Sequence, residues 1–326
     1  MHPISIIIPI SNNLEILKTN IPILTENLTK NHENEIIAVV NGSTDGTEEF
    51  LKTNFPQIKI ISFDRAIGFS KACNAGAKEA KNDLLFFLNS DIKVAKNFLP
   101  PLLQHFASKK VFGVSPKVLR PRQNMINESI ITGSFRGGVI SAEFNKIKNS
   151  DKIAESLEVF GLCGAAMLID REKFWEIGGF DEAFTPCYYE ETDLSYRALK
   201  RGWNIIYEPG STVYHYHDKT ISKLMSKSKA LWSYRKNQYL CVWKNITTPR
   251  LMFMHIIQMV LPKILIPNII EWKALLSALL QLPNILKQRK RQQVLAQLTD
   301  EEIFNKAKTQ INDIRKSTNA TYSFLK

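Results

Sequence analysis

Short apolar runs and amphipathic segments alternate along the first third of the chain. Residues 4–8, 35–40, 58–62 and 84–88 are rich in β-branched or aromatic residues and predict strands. Between them, apolar residues recur at helical spacing, as in residues 14–24. The run at 84–88 is apolar without a break, which is typical of a strand buried on both faces. This alternation predicts an α/β fold with a doubly wound, mostly parallel sheet flanked by helices.

The pattern changes twice further along the chain. Residues 120–158 are polar and aperiodic, which predicts a long connection over the substrate side of the sheet. From residue 223 the pattern is helical, and residues 251–286 are strongly apolar but interrupted by Pro262, Pro267 and Pro283. We therefore predict a catalytic and nucleotide-binding domain at residues 1–222 and a C-terminal helical extension at residues 223–326.

Composition narrows the partners and the compartment. The chain has 326 residues, a net charge of +12 and 44% hydrophobic residues, so a large core and an anionic partner are expected. Its four cysteines lie far apart, which fits a reducing cytoplasm better than a disulfide framework or a zinc site. The N-terminus lacks the basic region of a signal peptide, and no run of 18 uncharged apolar residues occurs.

Polar tips follow three of the predicted strands: Pro9-Ile10-Ser11, Asn41-Gly42-Ser43 and Asn89-Ser90-Asp91. The carboxyl ends of parallel strands meet at one edge of a sheet, so these tips predict a nucleotide crevice. An Asp at such a position suits an oxygen-preferring cation that carries a phosphorylated ligand. The alternative for the third tip is a plain turn, since Asn, Ser and Asp are common turn residues. Neither a glycine-rich dinucleotide fingerprint nor a P-loop is present.

Acidic and histidine residues in the second half supply further candidates. Glu190, Glu191 and Asp193 begin a predicted helix, where carboxylates either stabilise the helix dipole or provide a base that deprotonates a hydroxyl. His215 and His217 end a predicted strand, and one of them could ligate a cation. A structural or exposed histidine is the alternative.

Six of these motifs, in this order, resemble family-2 glycosyltransferases of the GT-A fold, especially the bacterial rhamnosyltransferase-like members. The matching elements are Ile6-Ile7-Ile8-Pro9, residues 41–47 (Asn-Gly-Ser-Thr-Asp-Gly-Thr), Gly68-Phe69 with Asn74 and Gly76, Asn89-Ser90-Asp91, residues 178–182 (Gly-Gly-Phe-Asp-Glu), and residues 190–194 (Glu-Glu-Thr-Asp-Leu). The resemblance extends from about residue 4 to residue 245.

The resemblance implies a mixed, mostly parallel GT-A sheet and a single inverting displacement at an anomeric carbon. It implies a nucleotide-diphosphate sugar, UDP- or dTDP-linked, as donor, and Mn²⁺ or Mg²⁺ on the diphosphate. Asp91 and His215 are the metal ligands that we predict, and Glu191, with Glu190 as the alternative, is the predicted catalytic base. The predicted nucleotide-sugar contacts are Pro9, Ile10, Ser11, Asn41, Ser43, Gly68, Phe69, Asn74, Asn89, Ser90, Asp91 and Gly164.

Three positions depart from the family pattern. Val40 stands where the family has Asp before the Asn-Gly-Ser loop, so base or ribose recognition must depend on Asn41 and backbone groups. Asn89 replaces the first Asp of Asp-x-Asp, as it does in the rhamnosyltransferase-like members. Glu191 occupies the position of the usual catalytic Asp and is one methylene longer.

The predicted acceptor is a hydroxyl on a growing cell-surface polysaccharide or lipid-linked glycan, and the expected location is the cytoplasm, at the inner face of the plasma membrane. Residues 251–286 and the basic cluster at 287–291 either lie on an anionic membrane or pack against the rest of the protein. A non-catalytic sugar-nucleotide-binding or scaffold protein of the same fold is the alternative function. Nucleic-acid binding is not predicted, because no recognised motif accompanies the charge.

Overall fold

The computed structural model describes residues 2–28, 32–121, 126–144, 153–216, 225–265 and 268–318. His217, the second candidate histidine, and Pro267 lie outside these ranges. The predicted domain boundary between residues 222 and 223 also falls outside them.

One large mixed sheet forms the centre of the described structure. Its strand order is β10-β12-β6-β11-β4-β1-β2-β3, with β5 and β7 at the side of this path, and β8 and β9 form a separate hairpin. The strands are β1 Ile4–Ile10, β2 Glu35–Asn41, β3 Lys59–Phe63, β4 Leu84–Leu88, β5 Ile92–Val94, β6 Val111–Arg120, β7 Ile126–Asn127, β8 Ile131–Arg136, β9 Val139–Phe144, β10 Leu157–Glu158, β11 Ala166–Asp170 and β12 Asn204–His215.

The sheet is parallel from β3 to β4, as predicted. Strand β11 runs antiparallel between β4 and β6, and β12 runs parallel to β6. The sheet is therefore mixed but mostly parallel, which confirms the predicted GT-A architecture. Both of its faces are covered, because alternate residues of one strand enter different cores: Phe87 joins one cluster, while Phe86 joins the other.

Helices follow most strands and complete the layers. They are α1 Leu14–Leu28, α2 Thr47–Asn54, α3 Phe69–Lys78, α4 Leu99–Leu103, α5 Arg171–Glu176, α6 Glu190–Lys200, α7 Lys227–Asn245, α8 Pro249–His255, α9 Leu261–Leu265, α10 Ile269–Val294 and α11 Asp300–Thr318. A π-helical segment, Ile256–Val260, joins α8 to α9. Asp170 caps α5 by accepting a hydrogen bond from Lys173 N at 2.9 Å.

The prediction of one long connection across residues 120–158 was wrong. The chain instead forms the hairpin of β8 and β9 and pairs β10 with β12. Strand β6, in the middle of the sheet, was not predicted at all. Strand β12 is a single long strand whose register against β6 shifts between Glu208 and Thr212.

Prolines interrupt fewer helices than predicted. Helix α1 continues through Pro22, and α10 continues through Pro283 for 26 residues. A proline removes one hydrogen bond from a helix, but it does not end either of these two helices. The expectation that prolines leave only short pieces in residues 251–286 is therefore wrong at Pro283. Among the described helices, α10 alone is long and apolar enough to cross a membrane, by length and composition only.

Candidate active site

The three predicted polar tips lie together at the carboxyl edge of the sheet and are hydrogen-bonded to one another. Asn13 Nδ2 donates to Ser90 Oγ at 2.7 Å, which links the first tip to the third. The backbone N–H of Asn12 donates to Ser43 Oγ at 3.1 Å, and Thr44 N donates to the side-chain Oδ1 of Asn12 at 2.8 Å. These two bonds link the chain after the first tip to the second tip. The strand ends thus form one continuous polar rim.

Several predicted nucleotide-sugar contacts on this rim have their side chains occupied by protein. The Ile10 side chain is wholly buried in the core, so only its backbone faces the rim. Asn41 Oδ1 accepts a hydrogen bond from Ile67 N at 2.7 Å. Gly42 needs to be glycine, because a β-carbon there would lie 2.4 Å from Ala66 N and its φ is +69°. A nucleotide contact by Asn41 remains a prediction, and its side-chain Nδ2 would be the atom that donates.

Gly68, Phe69 and Asn74 contact the loop at residues 180–186. Asn74 Nδ2 donates to Phe180 O at 2.8 Å, and Phe180 N donates back to Asn74 Oδ1 at 3.0 Å. Phe69 N donates to Pro186 O at 3.3 Å, and a β-carbon on Gly68 would lie 3.0 Å from Thr185. These residues therefore position the segment that leads into α6, and their direct contact with a nucleotide sugar remains a prediction.

Asp91 and His215 lie side by side in a buried position. His215 pairs with Ile92 in the ladder between β12 and β5, so the residue next to Ile92 comes close to the histidine. Asp91 Oδ1 is 3.3 Å from His215 Nε2, and Tyr216 N donates to Asp91 O at 3.2 Å. His215 Nδ1 is in contact with the Glu128 carboxylate.

This donor set fits a divalent cation. Neighbouring ligands on an ion with bonds of about 2.1 Å lie about 3 Å apart, close to the separation of Asp91 Oδ1 and His215 Nε2. A carboxylate behind a histidine orients the ring and increases its basicity as a ligand, and Glu128 occupies that position. Among the described residues no group of three or more His, Cys, Asp or Glu side chains is arranged around one metal position. Oxygens of a bound ligand and water would complete the coordination.

Two neighbouring carboxylates determine the pKa of His215. Burial by itself lowers the pKa of His215, but hydrogen bonds and charges from Asp91 and Glu128 outweigh it and raise the pKa to about 9. Arg120 also contacts Glu128. Sequence reasoning missed Glu128, which lies in the stretch that was interpreted as a structureless connection.

Glu190 and Glu191 begin α6 but lie in different surroundings. Glu190 is buried, and its Oε2 accepts no hydrogen bond within the described structure. Glu191 is half-buried and borders a small cleft. The cleft is lined by Ile131, Ala142, Phe144, Phe160, Gly161, Leu162, Thr192 and Ser195. A β-carbon on Gly164 would lie 3.4 Å from the Glu191 carboxyl group, so this carboxyl lies over the glycine.

Both carboxyl groups have a raised pKa. Burial raises the pKa of Glu191, and burial together with the Glu191 charge raises the pKa of Glu190 well above its ordinary value. Of the two, Glu191 is the one that a molecule in the cleft can reach. Its position on the cleft is what a base toward an incoming hydroxyl requires.

Asp193, the third acid of the motif, points into the protein. Arg197 Nη2 lies 2.7 Å from Asp193 Oδ2, and Lys244 Nζ lies 2.9 Å from the same oxygen. Arg197 also donates to Gly179 O at 2.9 Å, and Lys244 donates to Asp181 Oδ2 at 2.7 Å. This buried network joins α6, the loop at residues 178–182 and α7.

The third polar tip and Glu191 both contact one segment, residues 161–166. Asn89 N donates to Ala165 O at 3.0 Å, and β4 pairs with β11 so that Leu88 lies opposite Ala166. Glu191 lies over Gly164 on that segment. The sheet thus brings the Asp91–His215 pair, the polar rim and the cleft beside Glu191 to one edge.

Comparison with known proteins finds relatives at low sequence identity. The chain is 26% identical over 226 residues to the O-antigen biosynthesis protein RfbC of Myxococcus xanthus, covering 65% of this chain and 17% of that protein. It is 22% identical over 227 residues to an N-acetylglucosaminyl-diphospho-decaprenol L-rhamnosyltransferase of Mycobacterium tuberculosis, covering 63% of this chain and 73% of that protein. N-acetylgalactosaminyltransferase 6 of Drosophila melanogaster is 27% identical over 173 residues, covering 52% of this chain and only 26% of that protein.

Two solved structures share the fold. GalNAc-T7 with UDP, GalNAc and Mn²⁺ has a TM-score of 0.69 at 17% identity, covering 98% of this chain and 58% of that one. The mannosyltransferase PcManGT of Pyrobaculum calidifontis, with GDP-Man and Mn²⁺, has a TM-score of 0.55 at 14% identity, covering 97% of this chain and 87% of that one. The family model described as glycosyl transferase family 2 matches residues 5–178, more than half of the sequence, and the chain belongs to that family.

Proposed function

We propose that the protein is an inverting glycosyltransferase that moves a sugar from a nucleotide-diphosphate donor, UDP- or dTDP-linked, to an acceptor hydroxyl. We place the acceptor on a growing polysaccharide or lipid-linked glycan, and the reaction in the cytoplasm at the inner face of the plasma membrane. The rhamnosyltransferase and the O-antigen biosynthesis protein among its relatives support this class of acceptor.

The observation that carries the proposal is the buried pair of Asp91 and His215 beside the polar rim. Asp91 and His215 would hold Mn²⁺ or Mg²⁺, and both solved neighbours contain Mn²⁺ together with a nucleotide or nucleotide sugar. A divalent cation at this point neutralises negative charge that develops on a departing diphosphate. Glu128 would keep the His215 ring oriented toward the ligand.

Glu191 is the base that we assign to the transfer. Because burial raises its pKa, the ionised carboxylate is a stronger base than an exposed glutamate. It takes the proton of the acceptor hydroxyl while the hydroxyl oxygen bonds to the anomeric carbon and the bond from that carbon to the diphosphate oxygen breaks. The products are the glycosylated acceptor and the nucleoside diphosphate, with inverted configuration at the anomeric carbon.

The cleft beside Glu191 is the acceptor subsite in this proposal. Its lining is mostly apolar, and Phe144 is half exposed there. Apolar and aromatic walls with a few polar groups are typical of small-molecule sites and suit the apolar face of a sugar ring. Gly164 lets the Glu191 carboxyl approach the segment that faces the rim.

The test is a panel of nucleotide sugars incubated with the purified protein and Mn²⁺, with release of nucleoside diphosphate as the readout. We expect slow hydrolysis of one donor, its loss with EDTA, and its loss in Asp91→Asn. The matched control is Asp83→Asn, which alters an exposed carboxylate directly before β4, at the amino end of that strand and away from the rim. If a donor stabilises the protein in a thermal-shift assay but no acceptor or water is ever glycosylated, the protein is the scaffold alternative and the catalytic proposal is refuted.

A further inference from the structure

The hairpin of α8, α9 and α10 exposes a large apolar surface. Phe253 is 65% exposed, Leu265 75% and Leu280 76%, although residues of these types are usually buried. We call this surface the apolar ridge; its members are Phe253, Ile256, Ile257, Leu261, Ile264, Leu265, Ile269, Trp272, Leu276, Leu279, Leu280 and Leu286. Clusters of large exposed apolar side chains mark contact with a protein or a membrane.

Helix α10 has two opposite faces that are both apolar. Ala274, Ala278 and Ile285 are buried at helical spacing on the inner face, which lies along α7. Ile269, Leu276 and Leu280 recur at the same spacing on the outer face and are exposed. Two apolar faces on one helix are both expected to be buried, and within the described residues no other element covers the outer face.

The outer face becomes basic at the end of α10. Lys287 and Lys290 continue the stripe of Ile269, Leu276 and Leu280 at intervals of three, four or seven residues, and both are exposed. Arg291 is exposed beside them. An apolar stripe that ends in several cations is complementary to a surface with an apolar interior and anionic head groups.

Hydrogen bonds and ion pairs hold α9 and α10 against each other and against α7, so the ridge has a defined structure. Trp272 Nε1 donates to Lys263 O at 2.8 Å, which joins α10 to α9. Glu271 pairs with Lys263 at 3.3 Å and with Arg235 of α7 at 3.1 Å. These contacts keep the inner face of α10 against α7.

We propose that the apolar ridge lies flat on an anionic lipid bilayer, with Lys287, Lys290 and Arg291 at its head groups. Because α7 covers the inner face of α10, the helix rests in the interface and does not cross the bilayer. The inference deepens the membrane location that we propose for the reaction and rests on that proposal, although the ridge is separate from the residues that we assign to catalysis.

The position of the ridge suits an acceptor that is anchored in lipid. His255 at the end of α8 bonds to Gly138 O, at the tip of the β8–β9 hairpin, with a distance of 2.6 Å. Strand β9 runs from that tip to Phe144 on the Glu191 cleft, a length of about 20 Å. The β8–β9 hairpin therefore connects the helices of the apolar ridge to the Glu191 cleft.

Flotation of the full-length protein with vesicles tests the proposal. We expect flotation with phosphatidylglycerol–phosphatidylethanolamine vesicles and little with pure phosphatidylcholine. Leu276→Glu/Leu280→Glu should weaken binding at least about tenfold. Lys287→Gln/Lys290→Gln should weaken it about fivefold per lysine, for anionic vesicles only. The control, Thr53→Glu/Gln57→Glu, adds the same charge near the opposite edge of the sheet and should bind like the wild type.

Depth is measured with brominated lipids. Bromines near the head groups should quench the fluorescence of Trp272 on the ridge, and Trp272→Phe should lose that quenching. All variants must keep the wild-type circular dichroism and thermal midpoint. Flotation that is absent, or that is equal for neutral vesicles, overturns the proposal. So does a wild-type dimer that Leu276→Glu/Leu280→Glu converts to a monomer without any vesicle binding, because a second copy then covers the ridge.

Discussion

Lys244 links the C-terminal helices to the catalytic loop, and its removal should destabilise the whole protein. Its ammonium group is buried and lies 2.7 Å from Asp181 Oδ2 and 2.9 Å from Asp193 Oδ2. Lys244→Met keeps most of the side-chain volume but leaves two carboxylates with fewer partners. Arg197 still contacts Asp193, so Asp181 loses more than Asp193 does.

The structure gives a magnitude for this loss. Burial alone raises the pKa of Asp181, but the charge and hydrogen bond of Lys244 outweigh it and lower the pKa from 3.8 to about 2. A shift of this size corresponds to about 2 kcal/mol of stability at neutral pH. Breaking a buried ion pair from one side typically costs about 3–5 kcal/mol. We expect Lys244→Met to lose about 3 kcal/mol or more.

Urea denaturation of matched variants measures this value. Lys229→Met, on the exposed face of the same helix, should change the free energy of unfolding by less than about 0.5 kcal/mol. Asp181→Asn should cost less in the Lys244→Met background than in the wild type, with a coupling of about 1 kcal/mol or more. Additive effects within about 0.3 kcal/mol would refute the reasoning, because they would mean that the two groups do not interact.

The same pair predicts a pH dependence. The folded pKa of Asp181 lies below its unfolded value, so its contribution is complete above about pH 4 and is lost as the pH falls through about 2. Between these values the wild type should lose stability more steeply than Asp181→Asn. Parallel pH profiles for the two proteins would contradict the assignment.

Three further predictions concern the candidate site. Glu191→Gln should lower kcat about 100-fold or more at an unchanged KM for the donor, while Glu190→Gln keeps most activity; the reverse result in steady-state assays would identify Glu190 as the base. Glu128→Gln should weaken Mn²⁺ binding about 10- to 100-fold in a titration followed by electron paramagnetic resonance, and unchanged affinity would remove Glu128 from the site. Gly164→Ala should crowd the Glu191 carboxyl and lower kcat without unfolding the protein, as shown by circular dichroism.

The parallel half of the sheet could be predicted because its signals are local. Strands such as β4 consist of uninterrupted apolar residues, and the helices between them repeat at a regular spacing. Strand β6 carries Gly113, Ser115 and Pro116 among its apolar residues, so its pattern is weak. Its place in the sheet comes from pairing with β11 and β12, which are distant in sequence. Tertiary pairing of this kind leaves no local periodicity.

The candidate site divides in the same way. Asp91 lies directly after a clear strand, and its position could be predicted from the strand alone. Its contact with His215 depends on the antiparallel pairing of β5 with β12. Glu128 reaches the site because its N–H donates to the carbonyl oxygen of Val118, a residue of β6. This is the strand that was not predicted. A residue whose position depends on an unrecognised strand cannot be assigned from the sequence.

Helical spacing predicts which acids of the motif at residues 190–194 can face the same side of α6. Successive residues of a helix are rotated by about 100°, so Glu191 and Asp193 are about 200° apart and cannot face the same cleft. One of them had to point into the protein, and a wholly buried carboxylate needs cationic partners. Arg197, one turn after Asp193, is the first of these partners and is visible in the sequence. Lys244 is the second, and only the folded chain brings it to the same oxygen. Together with the Arg197 partner, the spacing therefore favours Glu191 over Asp193 as the residue that can act on a substrate.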